Sequence, residues 1–232
     1  MMSFYSLPET LHHEIAMVQA RFFLAGEGDK QKYDMVRWTK VCKPLQQGGL
    51  GIMSSKRMNI APLTRWLWRI ANGEVGIWLR IIQNKYLHGQ PLAFYQRSGV
   101  SQFWQSVIQL LPVLRIGTSI TVGSGASTLF WFDCWAGKAP FAARFLDLFA
   151  IAVEPRISVE VALIDLGYLA FWRPFGPMDA IAWQDVLDFI ALHEADVEQS
   201  IGRLSWRLVP SGSFSTKSLY QAIAQTPGPE PL

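Results

Sequence analysis

Apolar residues recur every three or four positions along most of the chain, a spacing typical of amphipathic helices. Ser101 stands directly before one of these patterns and is expected to cap its helix. Pro62 falls inside another, where it removes a helical hydrogen bond, so we expect a kink or a restart there. The predicted helices cover about residues 6–24, 54–71, 77–87, 101–111, 140–150, 179–193 and 217–224.

Two other stretches have the composition or the two-residue alternation of strands. Residues 118–132 contain two β-rich runs on either side of Gly123-Ser124-Gly125, which predicts a β-hairpin. Residues 204–216 contain two shorter runs around a Pro-Ser-Gly turn, which predicts a second, short hairpin. The fold class that follows is α+β, mainly helical, with these two hairpins.

The composition is that of a folded globular chain. Half of the 232 residues are apolar, and the ten tryptophans and fourteen phenylalanines are expected to anchor a substantial core. Two cysteines are too few for a secreted disulfide framework. The start of the chain lacks the features of a signal peptide, and the longest apolar segment, 139–153, is too short to cross a bilayer. We therefore expect an intracellular protein with no membrane segment.

Positive charge is concentrated in the first half of the chain. Residues 1–115 hold 14 basic against 6 acidic residues, a net charge of +8, whereas residues 116–232 hold 7 against 12, a net charge of −5. We expect a basic helical region at 1–115, a hairpin and acidic helical region at 116–225, and a disordered tail at 226–232. The basic half could bind a polyanion or its own acidic partner half.

No pattern in the sequence predicts a catalytic or metal site. The carboxylates are scattered, the cysteines and histidines lack zinc-site spacing, and the glycines at 123–125 lack the lysine and helix of a phosphate-binding loop. Asp133 lies between Trp131 and Trp135, and we expect it to hydrogen-bond to backbone or tryptophan donors rather than to act in catalysis. No cofactor is expected.

Eight basic residues are candidates for nucleic-acid contact. Arg65 and Arg69 lie one helical turn apart and beside Trp66 and Trp68, an arrangement that can neutralise phosphates next to a stacking surface. The alternative is that the tryptophans belong to the core and the arginines cover them with their methylene stems. The full set is Lys40, Lys43, Lys56, Arg57, Arg65, Arg69, Arg80 and Lys85.

Short motifs in a fixed order give the chain a resemblance to a known family. Each motif is weak alone, but together they cover nearly the whole chain. They resemble the polyprotein of plant non-LTR (LINE-type) retrotransposons, in the region downstream of the reverse transcriptase palm and just upstream of the zinc-binding-type segment. The motifs include Trp38-x3-Cys42-x-Pro44-x3-Gly48-Gly49-Leu50-Gly51, Trp66-x-Trp68-Arg69, Phe130-Trp131-x-Asp133-x-Trp135 and Trp206-x-Leu208-x-Pro210-x-Gly212-x-Phe214-Ser215-x-Lys217-Ser218-x-Tyr220.

The resemblance implies a role beside a polymerase. Region 1–115 would be a thumb- or connection-like unit that helps to hold RNA or an RNA–DNA duplex during target-primed reverse transcription, with the missing polymerase core as its partner. The family's adjacent pair of metal-binding aspartates is absent from this sequence. We therefore expect a non-catalytic fragment of the polyprotein rather than an enzyme. The alternative is a structural or protein-docking remnant with no independent activity.

Overall fold

The computed structural model describes residues 4–24, 38–95, 101–199 and 202–225. Helices dominate these residues and two short strands form a sheet, so the predicted mainly helical α+β class is confirmed. The predicted tail at 226–232 lies outside the described residues. None of the described helices is both long enough and apolar enough to span a lipid bilayer. The elements are α1 (Glu9–Leu24), α2 (Trp38–Val41), α3 (Ser55–Ala71), α4 (Ile77–Ile82), α5 (Gln102–Ile108), α6 (Leu111–Gly117), β1 (Thr118–Thr121), α7 (Phe141–Arg144), α8 (Leu146–Ala150), α9 (Val159–Ile164), α10 (Pro177–Gln199), β2 (Arg203–Trp206) and α11 (Thr216–Gln225).

The two strands pair with each other across the sequence. β1 and β2 are antiparallel, with Thr118 opposite Trp206 and Thr121 opposite Arg203. The two predicted hairpins are therefore wrong, although each of their segments supplies one strand. Each strand also donates one backbone hydrogen bond to the segment that follows it, from Ile120 to Cys134 (3.0 Å) and from Trp206 to Gly212 (2.8 Å), but these single bonds do not form a second ladder among the described residues.

Local hydrogen bonds explain why the second half of each hairpin is missing. A carboxylate oxygen of Asp133 accepts the N–H of Leu129 (2.8 Å), and the N–H of Asp133 donates to the carbonyl of Leu129 (3.1 Å), which closes a turn. After β2, the hydroxyl of Ser215 accepts the N–H of Ser218 (3.4 Å) and caps α11. Both segments are thus committed to a turn or a helix start instead of a strand.

Most of the predicted helices are present, with shifted ends. The hydroxyl of Ser101 accepts the N–H of Trp104 (3.4 Å), so the predicted cap of α5 is confirmed. α3 continues through Pro62 as one helix, so the helix does not restart there. The helix predicted at 140–150 divides into α7 and α8 at Phe145, whose φ of −119° and ψ of 59° are not helical.

The chain forms two compact units that are interleaved in sequence. Among the described residues, unit 1 comprises residues 4–24, 38–67, 101–113 and 214–225, and unit 2 comprises residues 68–95, 114–199 and 202–213. The division at residue 115 that the charge distribution suggests stays a prediction.

Unit 2 is built on aromatic side chains. Phe130, Trp131 and Phe141 are almost completely buried, and the Phe130 ring lies 5.2 Å from each of the other two rings. The indole N–H of Trp135 donates to the carbonyl of Phe130 (3.0 Å). Edge-to-face contacts of this kind stabilise a core beyond simple burial, so the high aromatic content has a structural role here.

Unit 1 is held by buried aliphatic residues and by one buried amide. Leu63 and Leu219 are almost fully buried. The side-chain oxygen of Asn59, which is itself 2% exposed, accepts the N–H of Leu7 (2.9 Å), and its amide nitrogen donates to the carbonyl of Tyr5 (2.8 Å). These two bonds fix the segment before α1 to α3.

Candidate nucleic-acid interface

The glycine-rich tract after α2 forms a tight turn that packs against the backbone of Lys43. Gly48 and Gly51 have φ angles of 78° and 67°, in the region that favours glycine. A Cβ atom at Gly49 would overlap the carbonyl of Lys43, and the same carbonyl accepts the N–H of Gly51 (2.9 Å). The tract thus fixes the backbone that carries the exposed side chains of Lys40 and Lys43.

A cavity of about 270 Å³ opens beside this turn, within unit 1. Its walls come from the turn and the start of α3, which follow each other in the sequence, and from α11, which lies far along the chain. The backbone N–H of Ser54 donates to the hydroxyl of Tyr220 (3.0 Å) across 166 residues and joins α11 to this site. The described lining residues are Cys42, Pro44, Leu45, Gln46, Gly51, Ile52, Arg57, Tyr220, Gln221 and Ala224.

The charge around the cavity is positive. Arg57 is the charged side chain among the described lining residues, and none of those residues is acidic. Lys43 lies between two lining residues, Cys42 and Pro44, and Lys40 accepts the N–H of Lys43 at its carbonyl (3.2 Å) one turn earlier. Of the eight predicted contact residues, Arg57 therefore lines the cavity, and the exposed Lys40 and Lys43 lie on the adjoining backbone.

The other predicted contact residues in unit 1 differ in their surroundings. Lys56 is half-buried and forms an ion pair with Glu9 (3.0 Å), whereas Arg65 is exposed on α3. Because the Glu9 carboxylate is 74% exposed, that ion pair is weak and solvent-screened. Arg65 therefore presents its charge to solvent more openly than Lys56 does.

Three predicted contact residues belong to unit 2. Arg69 pairs with Glu74 (2.6 Å), and its guanidinium lies 4.5 Å from the centre of the Trp78 ring. Arg80 is exposed, and the ammonium of Lys85 lies 5.3 Å from the Tyr86 ring. The charge of Arg69 is thus already balanced by a carboxylate.

The two tryptophans beside the arginines pack against other aromatic rings. Trp66 is half-buried, with its ring 5.4 Å from Phe4 and 5.8 Å from Phe103. Trp68 is buried and lies 5.7 Å from Trp206. For Trp68 the alternative of a core residue is confirmed.

Asp133 has the structural role that its position suggests. It is buried, and beside its bond to the N–H of Leu129 it accepts a hydrogen bond from Nε of Arg115 (3.1 Å). Burial raises the pKa of Asp133, and the attraction of Arg115 and the bond from Leu129 offset only part of that rise. Burial also lowers the pKa of Arg115. The expected bond to a backbone donor is confirmed.

Sequence reasoning missed three side chains of the cavity: Gln46, Tyr220 and Gln221. The signal for Tyr220 was present, since it ends the last motif of the chain and Cys42-x-Pro44 belongs to the first. The two glutamines carry no such signal because amides are common on exposed turns and helices. In the parts of the chain that the structure describes, no group of three or more His, Cys, Asp or Glu side chains could hold a metal ion.

Comparison with known proteins gives one informative match. No family model matches the chain, and no solved structure matches it. A protein of Arabidopsis thaliana that carries the name "Putative ribonuclease H protein" is 27% identical over 235 residues, which cover 99% of this chain. The chain spans only 37% of the length of that relative.

The name of the relative overturns one expectation. We expected a chain that is not an enzyme because the polymerase aspartates are absent, and this expectation is wrong, since a relative that covers nearly all of the chain is named for a nuclease. The missing aspartates concern DNA synthesis alone, whereas a ribonuclease carries out a different reaction. The chain is thus similar, over nearly its whole length, to a plant protein named for ribonuclease H.

Proposed function

We propose that this chain is part of a plant non-LTR retrotransposon polyprotein, and that its unit 1 binds RNA or an RNA–DNA duplex during target-primed reverse transcription. The ordered motifs and the relative named for ribonuclease H support a protein that works on nucleic acid. The whole protein would be a nucleic-acid enzyme, and this chain would supply part of its substrate-binding surface beside the polymerase core.

The observations that carry the proposal are the arginine that lines the cavity of unit 1 and the two exposed lysines on the backbone beside it. Lys40 and Lys43 are exposed on a backbone that the glycine tract holds in place, and Arg57 lines the adjoining cavity from α3. Lysine and arginine side chains bind phosphates and release condensed counterions, which gives affinity for any nucleic-acid backbone. Arg65 is also exposed in unit 1 and is a further candidate for phosphate contact.

A salt titration tests this function. Binding of a fluorescent RNA–DNA duplex is measured by anisotropy between about 50 and 200 mM salt, where each phosphate contact contributes a slope of about −0.9 in log affinity against log salt concentration. We expect the double variant Lys40→Gln/Lys43→Gln to lower affinity and to reduce the slope by about two contacts. Labelling the RNA strand in the same assay also reports its cleavage, so binding and nuclease activity are measured on one substrate.

Lys138→Gln is a single-charge control at a position away from the cavity. Lys138 is exposed in unit 2, so its replacement removes one positive charge without touching the cavity. We expect its affinity and slope to equal those of the wild type. Binding that does not depend on salt, or an equal change in the control and in the double variant, would contradict the proposed function.

A second candidate function, docking on the polymerase core, is favoured by exposed apolar residues in unit 2. Trp172 is 75% exposed, Met178 is 74% exposed and Ile181 is 60% exposed, all within a short stretch around the start of α10. Exposed apolar patches of this kind commonly mark protein interfaces. We expect concentration-dependent self-association in sedimentation experiments, and Trp172→Ser/Ile181→Ser should abolish it; a strictly monomeric wild type would argue against docking.

A further inference from the structure

We propose that the cavity of unit 1 binds a single unpaired nucleobase of an RNA strand, with the adjoining phosphates held by Lys43 and Lys40. This inference rests on the proposed function, because it names what the same positive surface recognises. It adds a preference for unpaired strands, which charge alone does not give.

The walls of the cavity provide apolar and aromatic surface for the faces of a base and hydrogen-bonding groups for its edges. Pro44, Ile52 and Ala224 supply apolar surface, and the ring of Tyr220 and the guanidinium of Arg57 are the groups on which bases stack. The amides of Gln46 and Gln221 each carry donors and an acceptor that can pair with a base edge.

The stacking group is held in place before any ligand arrives. The hydroxyl of Tyr220 accepts the N–H of Ser54 (3.0 Å), a backbone group at the start of α3. α11, which carries Tyr220, is anchored at the other side by Leu219, which is 2% exposed. A ring fixed in this way loses little freedom on binding, which favours affinity.

The size of the cavity suits a single base. Its volume of about 270 Å³ lies just below the range of about 300–1,000 Å³ that is usual for whole drug-sized ligands. A base can enter such a space, whereas a base pair in a helix cannot unless it is first unpaired and turned out of the stack. Lys43 and Lys40, exposed on the backbone beside the cavity, would then contact the phosphates that adjoin the inserted base.

A bare anion is the main competing ligand for the same residues. Arg57 and Lys43 would also attract inorganic phosphate, but contact with the apolar wall and the aromatic ring would not stabilise a bound phosphate. A base would cover the interior of the cavity, whereas phosphate would not. Because Cys42 lines the cavity, the rate at which it is alkylated distinguishes the two ligands.

The test is protection of Cys42 from alkylation by iodoacetamide, followed by mass spectrometry of the whole chain. The probes are single-stranded RNA homopolymers of the four bases, an RNA–DNA duplex of equal length, and inorganic phosphate. With ligand at about ten times its Kd, we expect at least one single-stranded RNA to slow alkylation about tenfold, as simple occupancy requires. The duplex, which should bind the same positive surface without entering the cavity, should slow alkylation much less than the single strand does, and phosphate should leave the rate unchanged. Cys134 in unit 2 is buried and should stay unmodified, so its alkylation would report unfolding.

Variants separate base insertion from backbone binding. Ala224→Phe fills the cavity and should weaken binding of the single strand about tenfold or more, the effect expected for loss of a stacked base, with duplex binding unchanged. Gln221→Ala, on an exposed position that does not support the core, should weaken single-strand binding in the same direction. Ala180→Phe, on an exposed position of α10, is the matched control and should bind like the wild type.

The outcomes distinguish base insertion from the proposed function on which it rests. Single-stranded RNA that binds in a salt-dependent way but leaves Cys42 unprotected would overturn base insertion and leave the proposed function standing. Protection by phosphate alone, or equal protection by the duplex, would also overturn it. Loss of all salt-dependent binding would instead contradict the proposed function.

Discussion

The carboxylate of Asp133 is buried with two partners of different kinds, a backbone N–H and a guanidinium. The N–H of Leu129 would find no water to replace this acceptor inside the core, so the bond satisfies a donor that would otherwise be costly. Arg115 supplies the opposite charge that a buried carboxylate needs. The raised pKa of Asp133 shows that burial outweighs this compensation.

A pH dependence of stability follows from that raised pKa. The folded chain holds the Asp133 proton more tightly than the unfolded chain, so the stability that Asp133 contributes is greatest below its usual pKa of 3.8 and is lost as the pH rises through the raised folded value. The amide of the variant Asp133→Asn cannot titrate, and Arg115 stays charged throughout this range. Denaturant unfolding at several pH values should show the advantage of wild type over Asp133→Asn shrinking as the pH rises above 3.8; a growing advantage would mean that the attraction of Arg115 dominates.

Two adjacent glycines in the tract after α2 are needed for different reasons. Gly48 has a positive φ and open space around it, whereas Gly49 is packed directly against the Lys43 carbonyl. Gly48→Ala should cost about 1–2 kcal/mol through backbone strain alone. Gly49→Ala should cost at least about 3 kcal/mol, the upper end of the range for overpacking, because backbone atoms cannot rotate away. Urea unfolding of the two variants measures both, and equal losses would contradict this account of the turn.

At the scale of single elements, α3 contains a proline, a residue that disfavours the helical conformation. Pro62 lies well inside the helix and is half-buried. Proline in a helix interior is about 3 kcal/mol less favourable than alanine, partly offset by the stiffer unfolded chain. α3 therefore persists because its neighbours Leu63 and Leu67 are buried.

Replacement of Pro62 should stabilise the protein. We expect Pro62→Ala to raise the free energy of unfolding by about 2 kcal/mol, measured by urea denaturation. Pro140→Ala is the matched control: Pro140 precedes α7 with a φ of −65°, where proline suits the backbone, so its replacement should destabilise by about 0.4–1 kcal/mol. A loss of stability in Pro62→Ala would show that the ring packs too well to be removed.

Elements that local interactions determine could be predicted from the sequence, and elements that depend on contacts between distant residues could not. Ser101 caps α5 through its own hydroxyl, and apolar spacing within α3 and α10 is enough to identify both helices. Strand pairing is different, because Gly123-Ser124-Gly125 indicates a turn but does not name the partner of β1. That partner is β2, more than eighty residues further along, and the pairing depends on the fold of everything between them.

The candidate site shows the same limit. Positive charge alone pointed to Lys40, Lys43 and Arg57 among the eight candidates, because the charge of a side chain can be read from single residues. The cavity that Arg57 lines also needs Tyr220, which reaches Ser54 across 166 residues. A motif can mark that tyrosine, but only the fold shows what it lies against.

At the scale of the whole molecule, the interleaving of the two units matters most. Unit 1 takes α11 from the end of the chain and α5 from its middle, so its stability depends on contacts between segments that are far apart in sequence. Such units tend to open cooperatively, because loss of one segment exposes the core of the others. The charge halves of the sequence do not follow these units, since α11 comes from the acidic half.

Hydrogen exchange can show whether the two units open separately. Leu219→Ala in α11 creates a cavity in unit 1 and should cost about 2–5 kcal/mol, and Phe141→Ala in unit 2 should cost about 3–5 kcal/mol. Because local opening follows the stability of its own unit, we expect Leu219→Ala to speed exchange in α5 and the first part of α3, and Phe141→Ala to speed it in α8 and α9. Mass spectrometry of peptic peptides resolves these segments. A uniform increase of exchange along the chain in either variant would mean that the protein opens as one cooperative body. If Phe141→Ala leaves exchange in unit 1 unchanged, this variant should still bind nucleic acid.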